Sequence, residues 1–162
     1  MNLSNKVEEK LKELGIEYNI VNHPPALTTE DADRFIEGIE GVRTKTLFLT
    51  NKKKRAFYLI IIDEAKRMDM SKFGELVNEK TIKMASSELL DSKLGLPPGT
   101  VSPFGLLNNL EKDVKVYVDE EIANEDIMCF HPNINTKTLF LKTKDLFKFF
   151  ENIKADVEVI LL

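Results

Sequence analysis

Leu3, Val7, Leu11 and Leu14 recur at three- and four-residue intervals, so the opening segment reads as an amphipathic helix that Gly15 stops. Glu17 to Val21 reads as a short strand, ended by His23-Pro24-Pro25. Thr28, with Asp31 three residues on, is a capped helix start, predicting a helix to about Ile36 that stops near Gly38. The apolar runs Val42 to Thr50 and Ala56 to Ile62 are strands joined by a short turn and should pair as a hairpin. Ser71 to Val77 reads as a helix with Phe73, Leu76 and Val77 on one side. Thr81 to Met84 reads as a strand, and Ser86 to Leu94 as a helix that Gly95 ends before the Pro97-Pro98-Gly99 turn. Val114 to Val118, Asp126 to Phe130, Thr136 to Leu141 and Val157 to Leu162 complete the strands. Leu146, Phe149, Phe150 and Ile153 are spaced for a helix on the sheet. Strands and helices are interspersed without a regular βαβ rhythm, and no Pro/Gly/Ser-rich linker divides the chain. The expectation is one α+β domain over residues 1–162, with a mixed, strongly curved sheet flanked by helices.

One hexapeptide occurs twice. Thr44-Lys45-Thr46-Leu47-Phe48-Leu49 returns letter for letter as Thr136-Lys137-Thr138-Leu139-Phe140-Leu141. Both copies read as strands, and no longer repeat surrounds them, so a duplicated domain is not inferred.

Composition narrows the class. With 162 residues, 43% apolar and 31% charged, this is a soluble globular protein with enough chain to bury a core. The opening residues lead into no apolar block and no run approaches the ~20 residues of a membrane span, so the cytoplasm is the expected location. One cysteine, Cys129, excludes an internal disulfide framework, and two histidines, His23 and His131, leave no basis for a metal centre; no cofactor is expected. The net charge of −4 argues against indiscriminate nucleic-acid coating. Between Arg43 and Arg67, however, eight basic residues stand against two acidic ones, including Lys52-Lys53-Lys54-Arg55 in the hairpin turn. That stretch is either a solvated turn or a local contact for a phosphate-bearing ligand.

Three segments could carry chemistry. Lys45 alternates onto the strand face of Leu47 and Leu49, at the edge of a buried side, where an ammonium can donate to a ligand oxygen or simply snorkel to water. Lys137 has the same local pattern, and pattern alone does not choose between them. Gly99-Thr100-Val101-Ser102-Pro103-Phe104-Gly105 is a shaped loop that can aim backbone N–H groups at a ligand oxygen. Cys129 and His131 are two apart in an extended segment and admit a thiol–imidazole reading, against the commoner reading of a buried core cysteine. Carboxylates are scattered, and no acid/base pair is assigned.

Val42 to Leu49, Gly99 to Leu106 and His131-Pro132-Asn133, taken in order and with the early His23-Pro24-Pro25, Thr28 and Thr29, resemble the YbaK/ProX superfamily. These are trans-acting aminoacyl-tRNA editing proteins related to the insertion domain of bacterial prolyl-tRNA synthetase. The resemblance implies a sheet curled toward a barrel. It implies hydrolysis of the ester between a wrong amino acid and the tRNA 3′-terminal adenosine, most closely as in the freestanding members that clear alanine from tRNA(Pro). It places the family lysine on Lys45, the GXXXP loop on Gly99, Thr100, Val101, Ser102 and Pro103, and the family histidine on His131. Thr46 stands where some alanine-specific members carry Asn, so Thr46 joins the substrate-binding candidates and the amino-acid preference stays open. The implied partners are the 3′ end of misacylated tRNA(Pro), with Arg43, Lys52, Lys53, Lys54 and Arg55 as candidate phosphate contacts, and prolyl-tRNA synthetase. Two rival readings remain: the same fold acting on cysteinyl-tRNA(Pro) or another misacylated tRNA, and a non-catalytic module that binds an aminoacyl or tRNA end.

Overall fold

The computed structural model describes residues 3–162; Met1 and Asn2, part of the opening stretch read for a leader, lie outside it. No helix among the described residues is long and apolar enough to cross a membrane. The chain runs through α1 (Leu3–Glu13), β1 (Tyr18–Asn22), α2 (Thr29–Phe35), β2 (Val42–Asn51), β3 (Phe57–Asp63), α3 (Met70–Leu76) and β4 (Ile82–Met84). It continues through α4 (Ser87–Leu94), a 3-10 helix (Pro103–Asn108), β5 (Val114–Asp119), α5 (Glu120–Ala123), β6 (Ile127–Phe130), β7 (Lys137–Lys142), α6 (Thr143–Asn152) and β8 (Asp156–Ile160). Local chemistry sets the helix ends. The Thr28 hydroxyl accepts from the Asp31 amide at 3.0 Å and the Ser86 hydroxyl from the Leu89 amide at 3.2 Å, while Gly95 closes α4 at φ 64°.

The strands lie in the order β1-β7-β6-β2-β3-β5-β8, with β4 added beside β2. β2 and β3 form the expected antiparallel hairpin, Thr44 opposite Asp63 and Thr50 opposite Phe57. The other edge of β2 is shared. β6 pairs in parallel with Val42 and Arg43, and β4 pairs antiparallel with Leu49 to Asn51. Between those two contacts this edge has no strand partner among the described residues, so the sheet splits there. The repeated hexapeptide falls on β2 and β7, which flank β6 from opposite sides and run in opposite directions.

Inward residues of both halves of the sheet meet in one core. Phe57, Leu59 and Ile61 of β3, Val116 and Val118 of β5, Met128 and Phe130 of β6, and Leu139 and Leu141 of β7 share it with Val7, Leu11, Leu94, Leu146, Phe149 and Phe150 from the helices. A sheet whose two halves face one cluster must curl around it; β1 and β8 remain as its unjoined ends. The reverse face of β2 and β3 carries a second cluster of Leu49, Tyr58, Ile60 and Ile62 beneath Phe73 of α3. β3 is therefore buried on both faces, which explains its unbroken apolar run. Leu76 departs from its expected place in that packing: it is 53% exposed. α3 is only two turns long; Phe73 meets the rings of Tyr58 and Tyr117 edge-on at 5.3 and 5.2 Å, and Met70 and Val77 pack against the same cluster.

Candidate active site

A cavity of ≈ 520 Å³ opens where the sheet splits. Its walls are Ala26 to Thr29 and Ala32 before and within α2, Thr44, Lys45 and Thr46 of β2, Glu64 just past β3, Gly99 and Val101, and Phe130 and His131 at the end of β6. Exposed Leu27 and Met84 stand among the lining side chains. A recess of ≈ 40 Å³ adjoins it, sharing Ala32, Thr44, Glu64, Phe130 and His131 and adding Asp33, Arg43, Cys129 and Thr138.

The two copies of the hexapeptide now separate. Lys137 places its ammonium 3.2 Å from the Glu8 carboxylate, a half-buried ion pair between β7 and α1. Lys45 makes no ion pair among the described residues and lines the cavity. Identical neighbours thus give one lysine a structural partner and leave the other facing open space.

The Gly99–Gly105 loop divides in its orientation. Gly99 and Val101 line the cavity, whereas Thr100, Ser102 and Pro103 turn into the protein and are buried. Thr100 Oγ1 donates to the Pro97 carbonyl at 3.1 Å. Ser102 Oγ donates to Asn133 Oδ1 at 2.7 Å and accepts from the Phe104 amide at 3.1 Å, capping the 3-10 helix. Phe104 anchors that helix in the core, edge-on to Phe130 at 5.9 Å and to Phe149 at 5.2 Å, worth about 0.5–1.5 kcal/mol per pair beyond burial. Gly99 has φ +88°, a left-handed turn that a side chain would strain. Pro98 and Gly99 form a tight turn that points the Thr100 N–H back at the Pro97 carbonyl, whereas the amides of Gly99 and Val101 donate to no acceptor among the described residues. Two residues of the cavity wall, Gly99 and Val101, thus carry N–H groups without a protein acceptor. The expected substrate-binding side chains of Thr100, Ser102 and Pro103 are not among its lining; they hold the loop's shape.

Geometry alone sets the tautomer of His131. Its Nδ1 lies 3.1 Å from the Lys137 carbonyl, and a carbonyl only accepts, so Nδ1 carries the proton and neutral His131 keeps its Nε2 lone pair. Burial holds the ring below the ordinary histidine range, helped by nearby His23 and opposed by the Lys137 hydrogen bond. His23 has both nitrogens engaged, Nδ1 on the Pro24 carbonyl at 2.8 Å and Nε2 on Thr138 Oγ1 at 2.9 Å, and stacks on Phe35 at 5.0 Å. It fixes the entry to α2. Burial pushes the Cys129 thiol up to about 11, despite Arg43, and its Sγ lies 3.4 Å from the Val42 carbonyl. A thiol held protonated is a poor nucleophile.

Arg43 spends its guanidinium on protein carbonyls, Gly41 at 2.7 Å and Ile36 at 3.0 Å, and lies 5.7 Å from the Phe140 ring centre. Lys52, Lys53, Lys54 and Arg55 are exposed at the other end of the hairpin. Seven residue steps of strand separate Lys45 from Lys52, about 23 Å at about 3.3 Å per step.

The sequence pattern passed over one group in this site. Glu64 is the acidic residue in the cavity wall. Its amide donates to the Arg43 carbonyl at 2.9 Å, which continues the β2–β3 register and sets it beside Thr44 and Lys45. Burial first, then a hydrogen bond to Asp33 of α2 and the charges of Asp33 and Asp63, push Glu64 up to about 8 against the pull of Arg43. Its place opposite Arg43 follows from the observed β2–β3 register, and Asp33, thirty-one residues upstream, could not be paired with it by pattern.

An open mixed sheet, split along one strand to frame a cavity with a lysine, a glycine-led loop and a histidine on its walls, defines an α+β fold of the YbaK/ProX type. The chain belongs to the aminoacyl-tRNA editing domain family, whose model matches residues 23–149. It is 33% identical over 149 residues to the prolyl-tRNA editing protein ProX of Acetoanaerobium sticklandii, covering 91% of this chain and 90% of that protein. It is 30% identical over 154 residues to the prolyl-tRNA synthetase associated domain-containing protein 1 of Danio rerio, covering 93% and 83%. Among solved structures, a candidate trans-editing enzyme for prolyl tRNA synthetase superposes with a TM-score of 0.75 at 19% identity, covering 98% of this chain and 96% of that one. That likeness speaks for the fold.

Proposed function

We propose that this chain is a cytoplasmic trans-editing hydrolase, a single aminoacyl-tRNA editing domain that removes alanine from mischarged tRNA(Pro) by hydrolysing the ester to its terminal adenosine. The observation that carries the reading is the meeting of Lys45 and the acceptor-free amides of Gly99 and Val101 on one cavity. An activated ester needs a placed water and a stabilised carbonyl oxygen more than a protein nucleophile. In this reading the loop amides hold the ester carbonyl, and their charge complementarity grows as the oxygen becomes an oxyanion. Lys45 grips the terminal phosphate or ribose and fixes the ester over the loop. His131 Nε2, an acceptor, orients a hydroxyl or the attacking water. The protonated Cys129 takes no part.

Selectivity is a matter of size. The ≈ 40 Å³ recess has room for about one methyl or one water, against a water's share of about 30 Å³ in the liquid. A pyrrolidine ring there would overpack the wall at a cost of about 1–3 kcal/mol or more, so a correctly charged prolyl group is spared. The test is a panel of Ala-, Ser-, Cys- and Pro-charged tRNA(Pro) incubated with the purified protein. Release of alanine with proline retained supports the reading; preferential release of cysteine transfers the site to the rival substrate. Binding without any release makes the chain a recognition module.

A further inference from the structure

Every substrate of such a site brings one cation, the α-ammonium of the aminoacyl group, and a cavity that takes it must offer an anion or acceptors. Among the side chains on the cavity wall, Glu64 is the carboxylic acid. It stands at the junction with the recess, lining both. A carbon placed at the mouth of the recess would send its methyl inward and its ammonium toward Glu64.

Glu64 also lacks a cation of its own. It and Asp33, which lines the same recess, make no ion pair with each other's surroundings that would neutralise Glu64: Glu64 enters none among the described residues, and Asp33 enters none either. Arg43 attracts it from the recess wall while two of its N–H groups donate to the Gly41 and Ile36 carbonyls, and it makes no ion pair with Glu64. Asp63 repels it, and Lys45 and His131 face the same cavity from β2 and β6. Two half-buried carboxyls on one recess wall without a counterion leave an electrostatic opening for a cation. Resting on the deacylase reading, we propose that Glu64 is the binding residue for the substrate's α-ammonium.

Because Glu64 is pushed up to about 8, it is mostly protonated at pH 7, and pairing with an ammonium ionises it. Binding therefore expels a proton, close to about one per site at neutral pH. The same ligand without its amine expels none.

The experiment uses two non-hydrolysable probes, 3′-alanylamido-3′-deoxyadenosine and its des-amino propionylamido analogue. Calorimetry of the full chain in two buffers of different ionisation enthalpy reads affinity and proton count together. The wild-type protein should bind the amine-bearing probe about tenfold or more tightly than the des-amino probe and release a proton only with the former. Glu64→Gln should lose that preference and the proton release while keeping its affinity for the des-amino probe. Equal affinity for both probes, no proton release, no binding of the amine-bearing probe, or an equal loss of both probes in Glu64→Gln would each overturn the proposal. The proton count on the wild-type protein decides the matter even if the variant fails to fold. Failure of the deacylase reading looks different: no amino acid released from the charged tRNA panel, with probe discrimination intact.

Discussion

Replacing Ser102 by Ala tests how the site is held in shape. Ser102 is fully buried and sits between two walls of the cavity. Its hydroxyl donates to Asn133 Oδ1 at 2.7 Å, just past His131, and accepts from the Phe104 amide at 3.1 Å, just past the Gly99–Val101 segment. Asn133 is itself 2% exposed and occupies a left-handed turn at φ 64°, its amide on the His131 carbonyl at 2.8 Å. Alanine removes both hydrogen bonds and leaves a buried amide oxygen and a buried N–H without partners. Each stranded group costs about 1–3 kcal/mol, so the expected loss is about 2–4 kcal/mol, allowing for partial relaxation. At this chain length that lowers Tm by about 4–16 °C, at about 2–4 °C per kcal/mol. Urea denaturation followed by circular dichroism reads it, and a cycle with Asn133→Ala isolates the pair; a coupling of about 1 kcal/mol or more is expected. Because the loop amides are aimed by this clamp, kcat should fall with stability restored by cooling. A loss below about 0.5 kcal/mol, or no coupling in the cycle, would refute the idea that one buried hydrogen bond joins the loop to the histidine turn.

The same geometry sets three other outcomes. Cys129→Ala should keep most deacylation, since burial keeps the thiol protonated; complete loss in a folded variant, measured by amino-acid release, would restore a thiol mechanism. Replacing Lys52, Lys53 and Lys54 by Gln should weaken tRNA binding and flatten its dependence on salt, read from binding constants at several ionic strengths; an unchanged slope returns the turn to plain solvation. For Glu64 the sign is fixed by linkage. Its carboxyl titrates higher folded than unfolded, so the native state binds more protons and wild-type stability declines as pH rises from about 4.5 toward about 8. Glu64→Gln should therefore gain thermal stability relative to wild type across that window, and a constant gap in melting scans would contradict a Glu64 carboxyl pushed up by its surroundings.

The parts of this fold that were legible in sequence are those decided within a few residues. Thr28 and Ser86 cap helices because a hydroxyl reaches an amide three residues away, and Gly95 stops one because it accepts a positive φ. The β2–β3 hairpin comes from two apolar runs and a short turn. Pairings between distant segments left no such trace: nothing in Val42 and Arg43 announces a parallel contact with Met128 and Cys129, which is what leaves β2 unpaired further along and opens the cavity. The short α5 and the 3-10 helix carry too few residues for a period. At the site, pattern nominated Lys45 and Lys137 equally, and only the tertiary partner Glu8 tells them apart. Glu64 was hidden for the related reason that its chemistry comes from burial and from Asp33 on another element.

That distinction supplies the most direct measurement. Lys45→Ala and Lys137→Ala, compared side by side for alanine release from Ala-tRNA(Pro), change the same residue in the same hexapeptide. Lys45→Ala should stay folded and lose release by about a hundredfold or more, the scale of a misplaced reacting group. Lys137→Ala, losing a half-buried ion pair worth about 1 kcal/mol or less, should stay within a few-fold of wild type. Near wild-type release by folded Lys45→Ala, or an equal loss in both variants, would contradict a role for the cavity lysine in holding the substrate.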